Sequence, residues 1–199
     1  DRLLAFGARG GSNPGIREGV DGRQDVTICD RNAAADCRMR RKGVEAEIAV
    51  EAADWLSIFA NVGYIDGGID EDNSFAPEFS GARFRLQPEW QAAAGFTVDY
   101  PLGNGARLFA TPSITHRSRI YFEVPNSDVT SQGPVTLVNA RAGVSFADDR
   151  YEIAGFVRNA FNEDYLLDAG NTGGAFGIPT FIPAEPRFFG MQLTARFGD

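Results

Sequence analysis

Residues 90–100 read Trp90-Gln91-Ala92-Ala93-Ala94-Gly95-Phe96-Thr97-Val98-Asp99-Tyr100, and their period of two decides the fold. The even positions carry Trp90, Ala92, Ala94, Phe96, Val98 and Tyr100, and the odd ones Gln91, Ala93, Gly95, Thr97 and Asp99. A helix repeats its apolar positions every three or four residues, whereas strict alternation gives a strand one apolar and one polar face. Trp90 and Tyr100 share the apolar face, ten positions apart. At roughly 3.3 Å per residue they span roughly 33 Å of strand, and a tilt of about 40° leaves about 25 Å of height. That is the spacing of the two aromatic girdles around a membrane-spanning β-barrel.

The same rhythm recurs on both sides of this segment. Val44, Ala46, Ile48, Val50 and Ala52 alternate with Glu45, Glu47, Ala49 and Glu51, and Leu56, Ile58, Ala60, Val62 and Tyr64 follow in phase. Further strands are predicted over 106–117, 138–146, 151–158 and 189–197, and a partial one over 2–9, which makes eight. Because the chain opens directly on that partial strand, earlier strands are expected upstream of it. Short connections fall at Ala53-Asp54, Pro101 to Gly105 and Ala147 to Asp149; long ones fall at 10–38, 66–87, 118–134 and 160–186. Short and long alternate throughout, as they do when tight turns face the periplasm and long loops face outside. The last strand then runs downward and leaves the C-terminus in the periplasm. A lower girdle is expected from Tyr100, Phe146, Tyr151 and Phe197. The fold class is therefore all-β, an antiparallel up-and-down transmembrane β-barrel. A soluble eight-stranded barrel is the competing architecture, but it gives no reason for one-sided loops or girdles.

Composition agrees. Glycine numbers 23 and phenylalanine 16, a mixture that leans to β structure. The net charge of −8 argues against a nucleic-acid partner. No apolar run reaches the ~18 residues of a membrane helix, a fact that leaves strand-built membrane proteins untouched. Glu45, Glu47, Glu51, Asp99, Arg107, Arg117, Arg141, Glu152, Arg158 and Arg196 line the second face, so the lumen is wet or filled by something polar.

Several words, in order, carry a family resemblance: Gly43-Val44-Glu45, Pro88-Glu89-Trp90-Gln91, Leu137-Val138-Asn139-Ala140-Arg141-Ala142-Gly143, Val157-Arg158-Asn159-Ala160-Phe161-Asn162-Glu163-Asp164-Tyr165 and Pro186-Arg187-Phe188-Phe189-Gly190. With the closing strand ending at Phe197, they resemble the C-terminal barrel of TonB-dependent outer-membrane receptors over residues 43–197. The resemblance implies a barrel of about 22 strands around an N-terminal plug. Residues 1–199 would supply its last eight or so strands, with the plug, the TonB box and the earlier strands lying outside this chain. It further implies uptake of a bulky nutrient, first of all a ferric siderophore, with outer-membrane lipid, the TonB complex and the barrel-assembly machinery as partners; the last would act through the C-terminal strand. No cofactor is implied. A passive porin or a small self-contained binding barrel is the second function class.

Candidate sites are few. Arg117, Arg119, Tyr121 and Phe122 are the ligand-contact candidates, because cations beside aromatics suit an anionic, aromatic ferric siderophore. Ordinary lumen charge balance competes with that reading. Cys29 and Cys37 read as a small disulfide loop, with free thiols or a metal pair as alternatives; the absence of a neighbouring His disfavours metal. His116 points outward by phase and has no catalytic partner at a motif spacing. Gly170 to Gly177 lacks the Lys and helix of a phosphate loop, and the acids of Asp66 to Asp72 lack the spacing of a calcium loop. No enzyme and no resident metal are expected.

Overall fold

A computed structural model describes residues 17–18, 24–25, 39–70, 77–173 and 178–197. In chain order the strands are β1 (Arg17–Glu18), β2 (Gln24–Asp25), β3 (Met39–Ala53), β4 (Leu56–Ile69), β5 (Trp90–Gly103), β6 (Ala106–Ala110) and β7 (Ser113–Arg117). They continue as β8 (Ile120–Tyr121), β9 (Ser131–Gln132), β10 (Val135–Phe146), β11 (Tyr151–Arg158), β12 (Leu166–Gly173), β13 (Ile178–Pro183) and β14 (Phe188–Ala195). No helix among the described residues is long and apolar enough to cross a membrane. The expected strand at 2–9 and both cysteines lie outside the described residues.

The main sheet is an antiparallel meander in the order β3-β4-β5-β6-β10-β11-β14, with β7 pairing both β5 and β10. β6 and β7 are one strand interrupted at Thr111-Pro112. Ala110 and Ser113 face Ala142 and Asn139, so the register is identical on either side of the break. Pro112 has no N–H to give to a ladder, which interrupts the pairing without slipping it. Its carbonyl still accepts from Phe96 N at 3.3 Å.

Register carries the alternation across the whole sheet. One face presents rows such as Val44-Tyr64-Trp90, then Leu56-Val98-Ala110-Ala142-Gly155-Met191, then Tyr100-Leu108-Val144-Ile153-Leu193. The other face presents Glu45-Gly63-Gln91-Arg117-Val135 and Pro101-Arg107-Ser145-Glu152-Thr194. Nothing in the described chain covers the apolar face: Phe189, Met191 and Leu193 are 73%, 77% and 74% exposed. An uncovered apolar sheet of this size needs a lipid-like surrounding.

The second face contains a repeated register device. Phe59, Phe109 and Phe156 stand directly opposite Gly95, Gly143 and Gly190 on the next strand. A Cβ at those glycines would come within 2.8, 2.7 and 2.8 Å of the facing rings. Each ring therefore lies where only a glycine leaves room, which fixes the pairing against a one-residue slip.

Short turns close one end. Asn104 (φ 55°) and Gly105 (φ 70°) form the two-residue turn between β5 and β6, both in the left-handed region that such hairpins require. Ala147, Asp148 and Asp149 (φ 55°, 53° and 64°) turn β10 into β11. Arg107 locks the two turns together, giving Nε to Asp149 Oδ1 at 3.2 Å, Nη2 to Asp149 Oδ2 at 2.8 Å and Nη1 to Asp99 Oδ2 at 2.9 Å. The Ser145 hydroxyl nearby and the hydrogen-bonded Arg107 guanidinium hold the Asp149 carboxyl below its ordinary value. Nearby, Arg141 lies over the Phe109 ring at 4.7 Å and pairs with Glu152.

The long connections carry structure of their own. β4 runs on to Ile69, and the connection after it contains a short 3-10 turn at Pro77–Phe79. β8 pairs β9 inside the second described long connection, and β12 pairs β13 inside the third.

Candidate functional site

The three described long connections meet at the end of the sheet opposite the short turns, and they are stitched by specific polar groups. Asn126 Oδ1 accepts from Arg83 N at 2.6 Å while its Nδ2 donates to Arg83 O at 3.0 Å and to Glu123 O at 3.3 Å. Leu86 N donates to Tyr121 O at 2.8 Å, and Leu166 N donates to Gln132 Oε1 at 2.8 Å. Beneath these bonds Ile120, Phe122 and Ala169 form a small buried core, with Leu166 packed on it.

That core sorts the predicted contact residues. Phe122 is completely buried, so it holds the connections together and offers no surface to a ligand. Tyr121 is half-buried, with the Arg83 guanidinium 5.7 Å from its ring centre. Arg119 gives Nη1 to Asp128 Oδ1 at 2.6 Å and is thereby neutralised within its own loop. Arg117 stands apart. It ends β7 on the charged face, between Gln91 and Val135, and its guanidinium lies 5.8 Å over the Tyr165 ring. Among the described residues it faces no carboxylate at ion-pair distance, while Arg83, Arg85, Arg119 and Arg158 pair with Glu89, Asp168, Asp128 and Glu185. The structure thus brings Arg117, Arg119 and Tyr121 to one end of the sheet, and of the two predicted cations only Arg119 has a carboxylate at ion-pair distance among the described residues.

Tyr165 also lines an open cleft of about 330 Å³ together with Gln132, Glu163, Asp164, Pro183 and Pro186. Its position depends on Asn159, which is 5% exposed and follows directly on β11 at φ 48°. Asn159 Nδ2 donates to Glu163 O at 2.8 Å and Glu185 O at 3.3 Å, and Oδ1 accepts from Glu163 N at 2.8 Å. One side chain therefore clasps both arms of the last connection, and Asn162 Oδ1 adds a bond from Arg187 N at 3.0 Å. Sequence reading missed Tyr165 as a site residue, although the word Asn159 to Tyr165 contains both it and its anchor. Among the described residues no cluster of three His, Cys, Asp or Glu could hold a metal ion.

With this geometry in hand, comparison with known proteins is direct. The family model described as TonB dependent receptor-like, beta-barrel, matches residues 11–160. The chain belongs to this family of TonB-dependent receptor-like β-barrels. Two solved structures share the fold of this receptor-family chain. The ferric yersiniabactin uptake receptor FyuA from Yersinia pestis superposes with a TM-score of 0.70 at 20% identity, covering 81% of this chain and 24% of its own. BauA, the ferric preacinetobactin receptor from Acinetobacter baumannii, gives a TM-score of 0.62 at 17% identity, covering 86% and 25% respectively. The receptor-family chain thus spans about a quarter of the length of these solved receptors. No curated protein matches it.

Proposed function

We propose that residues 1–199 form the C-terminal part of the barrel wall of an outer-membrane receptor that imports a bulky nutrient with TonB-derived energy. A ferric siderophore is the first ligand class. The short turns and the C-terminus face the periplasm in this reading, and the stitched connections face outside. The plug and TonB-contacting region belong to the N-terminal part of the intact receptor, and the closing strand engages the barrel-assembly machinery. The chain's role is transport and binding rather than catalysis.

The observation that carries the ligand reading is Arg117. It is a charged-face cation at the outer end, stacked on Tyr165 and unmatched by a carboxylate among the described residues. An anionic iron complex with aromatic rings would take the guanidinium as its counter-charge and the tyrosine as its platform. The family membership and the solved siderophore receptors of the same fold support this reading.

The test is binding and radioactive iron uptake by the full-length receptor, using ferric yersiniabactin and ferric preacinetobactin as probes. Arg117→Ala should weaken binding of a recognised probe by on the order of tenfold to a hundredfold, as for loss of a charged hydrogen-bond partner. Arg117→Lys should recover part of it. Unchanged binding and uptake in Arg117→Ala would refute the assignment of this residue, and failure of every anionic ferric complex to bind the wild-type receptor would refute the ligand class.

A further inference from the structure

We propose that three phenylalanine rings seated on glycines set the register of the strand pairs that no turn can align. The wall then assembles from hairpins keyed to one another, and the long connections are free of that task. Phe59, Phe109 and Phe156 each stand between two facing residues on the second face of the sheet. Across the short turns those residues are Ala49, Asp99 and Arg141, all with side chains. Across the long connections they are Gly95, Gly143 and Gly190, and there the ring occupies the space a Cβ would need. Among the described residues the arrangement recurs in every main-sheet pair joined by a long connection, and in none joined by a short turn.

The division follows from what a turn can specify. A tight turn ties the first ladder pair to the chain itself: Ala53 faces Leu56, Gly103 faces Ala106 and Phe146 faces Tyr151. The long connections instead run over residues 65–89, 118–134 and 159–187, between the pairs Tyr64–Trp90, Arg117–Val135 and Arg158–Phe188. Lengthening such a connection by a residue or two changes its closure entropy little, so it does not resist a slip of two. Period two does not resist it either, because that slip returns every side chain to its own face. The rings do resist it. The slip would set Phe59 against Ala93 or Thr97, Phe109 against Arg141 or Ser145, and Phe156 against Phe188 or Gln192. Each of these brings a Cβ to where the ring needs room, which disfavours the slip by about tenfold to a hundredfold. Gly143 and Gly190 are the only glycines of β10 and β14, and Gly95 is the only one of β5 before Gly103 at its end. One socket per strand marks one register. The connections bearing Tyr121 and Tyr165 can therefore change length and sequence while the wall beneath them keeps its pairing.

The Phe156–Gly190 contact gives the cleanest test. The three atoms nearest a Cβ at Gly190 all belong to the Phe156 ring, whereas a Cβ at Gly95 or Gly143 would also strike backbone. The full-length receptor carries Cys29→Ser and Cys37→Ser and a short Gly-Ser insertion between Gly173 and Ile178. Disulfide formation in assembled receptor then reads the register on the apolar face. Ile153→Cys with Leu193→Cys reports the native pairing, and Ile153→Cys with Met191→Cys or Ala195→Cys reports a slip of two. With Phe156 in place, the insertion should leave only the native disulfide. Phe156→Ala should lower the native-to-slipped ratio by on the order of tenfold or more, and Phe156→Tyr, which keeps the ring, should hold it at the starting value. Heat-modifiable gel mobility identifies the assembled molecules; if Phe156→Ala leaves too few of them, Phe156→Leu, which keeps bulk without a flat ring, is read in the same way. Slipped disulfides in the insertion variant with Phe156 intact would overturn the proposal. So would the native disulfide alone in an assembled receptor that lacks the ring.

Discussion

Replacing Asn159 by alanine should release the last long connection without unfolding the sheet. The side chain makes three hydrogen bonds, at 2.8, 3.3 and 2.8 Å, to backbone groups of Glu163 and Glu185. It is 95% shielded, given its 5% exposure, so the abandoned amide and carbonyls regain water poorly. At about 1 kcal/mol per bond, the loss amounts to about 3 kcal/mol. Alanine held at φ 48° adds about 1 kcal/mol of left-handed strain. About 4 kcal/mol in total shifts the local opening equilibrium on the order of a thousandfold. Hydrogen exchange at the Glu163 amide, which donates to Asn159 Oδ1, reads this directly in the full-length receptor. The Ala184 amide, bonded to Tyr165 O at 2.9 Å, should accelerate with it. Asn159→Gly should lose protection somewhat less, because glycine accepts the backbone angle freely. Undiminished protection at Glu163 in Asn159→Ala would refute the clasp, and loss of heat-modifiable folding would show that Asn159 supports the sheet rather than the connection.

Three more outcomes follow from the turns and the sheet interior. Ala147→Gly should raise stability by about 1 kcal/mol, seen as a higher temperature for loss of compact gel mobility, because an exposed alanine at φ 55° carries strain that glycine lacks. Gly143→Ala should prevent assembly, because its Cβ would press into the Ile153 carbonyl oxygen and the Phe109 ring; normal yields of folded receptor would contradict the register device. Asp149 has a lowered carboxyl pKa, so its stabilising contact with Arg107 is fully present above the ordinary carboxylate value and is lost as pH falls through the depressed one. The tie between the turns should therefore persist at pH 4 to 5, and Asp149→Asn should remove this part of the acid-induced loss of stability below about pH 4; an identical acid profile in the variant would argue against the tie.

The strands were legible because alternation survives in one dimension: every segment proposed from period two is a strand of the main sheet, apart from 2–9, which lies outside the described residues. Their ends were less so. β3 begins at Met39 and β4 runs to Ile69, beyond the alternating cores, because Arg40, Lys42 and Asp66 keep the pairing where hydrophobic contrast has faded. The β12–β13 ribbon was hidden by Gly170, Gly173, Pro179 and Pro183, residues that usually signal loops. Phe122 looked like a contact residue for want of its neighbour Ala169, 47 positions away in sequence. Asn159 looked like part of a family word, since its bond to Glu185 spans 26 positions and no local pattern announces it. The cationic side of the site could be proposed from the sequence, but separating Arg117 from Arg119 required knowing that Arg119 is already paired with Asp128.

The central claim is that the short turns and the stitched connections lie on opposite sides of an outer membrane. Membrane-impermeant thiol labelling of intact cells tests it, with the full-length receptor carrying Cys29→Ser and Cys37→Ser and one new cysteine at a time. Val129, 62% exposed in the second described long connection, and Asp54, exposed in the β3–β4 turn, are the two positions. Val129→Cys should label on intact cells, and Asp54→Cys should label only after the outer membrane is permeabilised. Labelling of Asp54→Cys on intact cells with Val129→Cys protected would contradict the account.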